Sequence, residues 1–188
     1  MIRLNLLVAC LLLAARSLSA QGTVVLPEVP LDERRAALRD ELLRFRDTLN
    51  TIDAAAARLQ RDFRQASAAS LLSRARVMSE ACARSARNVA PARAAVLAAE
   101  ATDKRRLARR AEMIQALDRL RGVLSRCQND FDAMSRPGEG ETVRGYGNHR
   151  AVRVQAVLRQ YERALASFFA AMGIKVTPLG AGTRPVSG

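Results

Sequence analysis

Four stretches of this chain repeat apolar residues at alternating spacings of four and three, the pattern of helices that each bury one seam against other helices. The first runs Leu38, Leu42, Phe45, Leu49, Ile52, Ala56, Leu59 and Phe63. A one-residue slip of phase through residues 65–70 opens a second: Leu71, Ala75, Met78, Cys82, Ser85, Val89, Ala92 and Val96. The third is Met113, Leu117, Leu120, Leu124, Cys127, Phe131 and Met134, and the fourth Val154, Leu158, Tyr161, Leu165, Phe168 and Met172. Such stripes are stable only when they face one another, so the sequence predicts an all-α, antiparallel up-down-up-down four-helix bundle of long, coiled-coil-like helices over residues 32–173.

The helix limits follow from caps and breakers. Asp32 can cap the first helix (about 32–66) and Thr102 or Asp103 the third (about 103–135), while Gly173 is placed to end the fourth (about 148–172). The second (about 68–101) contains Pro91, which removes a backbone donor and should kink or split it. Pro137, Gly138, Gly140, Gly145 and Gly147 predict a loop between the third and fourth helices. Residues 21–31, with Pro27 and Pro30, read as an extended leader, and residues 174–188 as a flexible, disordered tail.

Facing residues of an antiparallel pair have numbers with a constant sum. The second and third stripes meet this condition with Met78 opposite Phe131, Cys82 opposite Cys127, Val89 opposite Leu120 and Val96 opposite Met113. The implied turn centre lies between Lys104 and Arg105; the other two centres fall at Ser67 and near Arg144 and Gly145. A rival layout, with the first two stripes on one helix and the turn at Pro91, would place Cys82 and Cys127 far apart. The register therefore predicts a Cys82–Cys127 disulfide and favours four helices over the rival. Ala81, Ala83, Ala86 and Gly122 would let the two helices approach closely enough. The 45-residue separation and core positions mark a structural staple and not a redox dithiol, worth about 4 kcal/mol in the chain-entropy model.

The compartment expectation comes from the first 20 residues: Arg3, an apolar run Leu4 to Ala15, and the small residues Ser17, Ser19 and Ala20 make a secretory signal peptide. The run is too short to span a bilayer, and no later segment does. Leu7, Val8, Ala9 and Cys10 resemble the lipobox of bacterial lipoproteins, but the apolar run continues past Cys10, so Cys10 is expected to leave with the signal. The chain is read as periplasmic or secreted, with no transmembrane span in the mature form.

Charge bounds the partners. The chain carries 31 basic against 18 acidic residues, a formal net charge of +13, and loss of Arg3 and Arg16 with the signal leaves +11. All but Lys104 and Lys175 of the basic residues are arginine, which can reflect codon bias as well as function. Such a surface attracts phosphate, anionic lipid or acidic polymer. No Trp and only Tyr146 and Tyr161 are present, so stacking platforms for single-stranded nucleic acid are nearly absent and no sequence-specific nucleic acid is expected.

Two regions are candidates for a site. Lys104, Arg105, Arg106, Arg109 and Arg110 cluster at the tip of the second hairpin, a candidate anion site whose alternative reading is a solvated helix end. Arg144, Tyr146, Asn148, His149 and Arg150 lie in the predicted glycine-rich loop, the densest mix of polar, aromatic and flexible residues, which matches no phosphate-binding glycine motif. His149 is the sole histidine, so multi-histidine metal sites are excluded, no metal is expected, and the Met134–His149 pair leaves only a low haem alternative. Asp130 and Asp132 lack the setting of an acid/base pair, no nucleophile motif occurs, and no catalytic constellation or cofactor is called. The expectation is a noncatalytic exported bundle of the bacterial envelope that binds an anionic envelope component or a protein partner through arginine-rich surfaces, possible self-association included. A periplasmic holdase or assembly factor is the alternative, which requires exposed apolar surface.

Overall fold

The computed structural model describes residues 31–175, so the expected signal peptide with Cys10, the expected leader up to Pro30 and the expected tail beyond Lys175 lie outside the described residues. Four long helices make up the fold: α1 (Leu31–Gln60), α2 (Ala68–Ala98), α3 (Lys104–Met134) and α4 (Asn148–Met172). There is no strand among the described residues. Each helix packs on its neighbours in chain order and α4 returns to α1, which closes the bundle.

The stripes are the core. Leu42, Ile52, Ala56, Leu59, Leu71, Met78, Met113, Leu117, Leu124 and Phe131 have no exposed surface, and Phe45 meets Tyr161 edge-on at 5.5 Å. Burial of this kind contributes roughly 1.5–3 kcal/mol for each large side chain and is what offsets the entropy of ordering four helices. Cys82 and Cys127 are buried and bonded, with Cα atoms 6.0 Å apart. Around them the helices run antiparallel: Ser79 Oγ donates to Gln128 O on α3, and Ser85 Oγ, buried in the stripe, donates to Thr48 O on α1. Both serines thus bind neighbouring helices through hydrogen bonds that an alanine could not make. Ala81 is buried at the close approach, but Gly122 is not part of it, since a Cβ there would meet only the side chain of Arg126 on its own helix.

Chain breaks differ from expectation in three places. α1 stops at Gln60, before Phe63, because Asp62 takes a left-handed φ of 48° and its carbonyl accepts from Gln65 and Ala66. The α2–α3 connection comes a few residues earlier than the stripes place it, because Asp103 caps α3, its Oδ1 accepting from Arg106 N at 2.9 Å. α2 runs through Pro91 without splitting; Pro91 faces solvent, where the carbonyl freed one turn back can bind water.

The expected loop is mostly helix, which is the main correction. A short turn follows α3, with Gly138 at φ 92°, and the chain is helical again from Gly140: one turn at Gly140–Thr142, a π-helical turn at Val143–Gly147, then α4. Gly140 and Gly147 serve close packing here. A Cβ on Gly140 would lie 2.6 Å from Ala68 Cβ, and one on Gly147 would lie 3.1 Å from Val143 Cγ1, beside Leu59 and Phe131. The π turn absorbs the extra residue between the buried Val143 and Gly147 and the stripe that starts at Ala151. At its other end α4 stops on Gly173, with φ 68°, and Ile174 N reaches back to Phe169 O.

Candidate functional site

The last carbonyls of a helix have no partner within it. In this bundle arginines from neighbouring elements fill that role. Arg74 on α2 donates to Arg61 O just past the end of α1. Arg110 on α3 donates to Ala99 O at the end of α2, at 3.0 Å. Arg144 reaches furthest: Nη1 donates to Phe63 O (3.3 Å) and Arg64 O (2.8 Å), Nη2 to Ala66 O (2.8 Å), and Nε pairs with Glu141 (3.2 Å). A fork of five donors suits this task as no lysine could.

Several members of both predicted clusters have partners of their own. At the α2–α3 tip, Arg106 pairs with the capping Asp103 at 3.3 Å, Arg109 pairs with Glu112, and Arg110 is on the α2 carbonyl. Lys104 and Arg105 remain exposed, with no ion pair among the described residues. In the second cluster Arg144 turns toward the α1–α2 connection and Arg150 pairs with Asp130 on α3 at 3.3 Å. Tyr146, Asn148 and His149 are exposed. These five residues lie on successive helical turns instead of a loop.

Of the Met134–His149 pair, His149 is exposed and Met134 is buried in the core. Of the two carboxylates at residues 130 and 132, Asp130 pairs with Arg150 at 3.3 Å. Among the described residues no three His, Cys, Asp or Glu side chains are grouped as metal ligands, and no helix is long and apolar enough to cross a membrane.

Two of the surface grooves among the described residues bear on the candidate site. One, of about 200 Å³ between α3 and α4, mixes Glu112 with Arg119, Gln115 and Gln160. The other, of about 260 Å³ between α1 and α2, is lined by Ala55, Arg58, Arg61, Ser73, Arg74 and Val77, with three cations and no carboxylate. Arg58 and Asp62 stand four apart, a spacing that would let them pair on a continuous helix. Since α1 ends at Gln60 and Asp62 turns left-handed, that pair never forms. The available signal was the basic run Arg58, Arg61 and Arg64 just before the phase slip.

No protein-family model, no curated protein and no solved structure matches this chain.

Proposed function

We propose that this is a noncatalytic, exported bundle of the bacterial envelope whose arginine-rich faces hold an anionic envelope component. The observation that carries it is the uneven distribution of charge over a closed core. α1 balances six acidic with six basic residues, whereas α2 sets five arginines against Glu80 alone, and of those five only Arg93 has an ion pair, with Asp118 at 2.9 Å. α3 and α4 carry a further surplus, eight basic to four acidic and four to one. Unpaired like charges repel one another and destabilise a compact state, so a surface that keeps them supports a role for an anionic partner. Export rests on the signal-like first 20 residues together with the buried disulfide, which persists in oxidising compartments.

The same observations speak against a holdase, because the apolar stripes are consumed inside the bundle and leave no continuous stripe for a client. Retention of the full chain on an immobilised sulfated polymer, released by moderate salt, is the expected result. Passage through that column at low salt contradicts the reading.

A further inference from the structure

The groove between α1 and α2 gathers three arginines, a serine and an apolar wall in one concave surface. Elsewhere on α1 three arginines are matched: Arg35 with Asp32, Arg39 with Asp40 and Arg44 with Glu41. At the groove Arg58, Arg61 and Arg74 converge with no ion pair among the described residues, and Asp62, the nearest carboxylate in sequence, is not in the lining. Arg74 is half-buried and held in place by its bond to Arg61 O, which also neutralises a carbonyl that would otherwise repel an anion. Arg58 and Arg61 are exposed and free to close over a ligand, and Ser73 adds a hydroxyl. Ala55 and Val77 supply an apolar wall, with Val77 38% exposed.

Planar guanidinium forks match the oxygens of a tetrahedral dianion and bind it with paired, charge-assisted hydrogen bonds. An apolar wall beside them suits the carbon substituent of an ester better than a bare ion. The volume is just below the roughly 300–1,000 Å³ of sites that enclose drug-sized ligands, which fits a headgroup and not a whole molecule. We propose that this groove is a specific site for a phosphate monoester, with Arg58 and Arg61 as the mobile clamp, Arg74 as the fixed donor and Val77 against the substituent. This assignment rests on the anion-binding reading and gives it a site and a ligand class.

The experiment is calorimetric titration of the full, disulfide-intact chain with phenyl phosphate and with inorganic phosphate at constant ionic strength. Vesicles of phosphatidylcholine with and without phosphatidic acid serve as competitors. Saturable one-to-one binding of phenyl phosphate is expected, tighter than inorganic phosphate. Arg58→Ala with Arg61→Ala should weaken it about tenfold or more, and the paired lysine substitutions, which keep charge but lose the fork, should restore only part. Lys104→Ala with Arg105→Ala should leave it unchanged. Both groove side chains are exposed, so thermal melts of these variants should overlay the parent. Competition by phosphatidic acid vesicles identifies a lipid headgroup as the source; a lack of competition alongside retained phenyl phosphate binding identifies a soluble ester. Equal losses from the groove and tip substitutions, or binding that never saturates, overturn the site while leaving general anion binding intact. A chain that is retained on neither the polyanion column nor anionic vesicles removes the broader reading as well.

Discussion

Arg144 Nη2 donates to Ala66 O at 2.8 Å, which joins the π-helical turn before α4 to the connection between α1 and α2, 78 residues away. With Nη1 on the carbonyls of Phe63 and Arg64, one side chain satisfies three backbone acceptors in a turn that has few partners of its own. Arg144→Ala is expected to lower unfolding free energy by about 1–2 kcal/mol, since hydrogen bonds to a charged donor are worth more than neutral ones but this one is partly exposed. Arg144→Lys should recover less than half, because an ammonium cannot span three acceptors. Urea unfolding measures both, and an alanine variant as stable as the parent would contradict the clamp.

Gly140 and Ala68 touch where a Cβ would lie 2.6 Å from Ala68 Cβ. In an ordinary helix Gly→Ala gains about 1 kcal/mol from propensity. Here Gly140→Ala should instead cost about 1–3 kcal/mol from overpacking. Ala68→Gly in the same chain should return part of that loss, which gives a favourable coupling of more than about 0.5 kcal/mol in a double-mutant cycle. Additive effects would mean the two helix starts are not in contact.

Tyr161 is 1% exposed, and its hydroxyl has no hydrogen-bond partner among the described residues. Leaving a buried donor unpaired costs about 1–3 kcal/mol, so Tyr161→Phe, which keeps the edge-on contact with Phe45, is expected to stabilise by about 1 kcal/mol. Burial, and to a lesser degree the charge of Glu162, raises the phenol above its ordinary value, against a smaller lowering by Arg46. A group whose folded pKa is raised contributes stability that is full below its unfolded pKa and lost as the pH climbs past it. The parent should therefore lose stability above about pH 10 more steeply than Tyr161→Phe. Denaturation at stepped alkaline pH tests this, and identical slopes would mean the hydroxyl is solvated.

How far the fold could be read in the sequence depends on the scale of the signal. Periodicity over six to eight residues placed the stripes, and two cysteines in phase joined α2 to α3, because both patterns record which face a helix buries. Gly140 and Gly147 were misread as loop residues because a glycine that permits close approach looks the same in sequence as one that permits a turn. Asp62 gives no local sign of the left-handed φ that ends α1 and keeps it from the i, i+4 spacing with Arg58. The carbonyl clamps of Arg74, Arg110 and Arg144 are tertiary, joining residues 11 to 81 apart, and no local spacing encodes them. The candidate clusters were chosen by composition, which counts cations but not their partners.

At the α2–α3 tip the cations divide by role. Lys104→Glu with Arg105→Glu should leave stability within about 0.5 kcal/mol of the parent while weakening attachment to anionic vesicles about tenfold or more. Asp103→Ala should do the reverse, costing about 1 kcal/mol through loss of the α3 cap with little change in attachment. Sedimentation binding and urea melts on the same preparations separate the two, and a tip reversal that leaves attachment untouched assigns the contact to the other faces.

The most direct measurement is the partition of the full, oxidised chain between buffer and vesicles as phosphatidylglycerol replaces phosphatidylcholine, repeated from low to high salt. Binding that rises with anionic lipid and falls steeply with salt is the predicted result, since exposed unpaired arginines act through screened charge. Equal binding to both vesicle types, or none to either at low salt, would contradict an anion-binding role for this bundle.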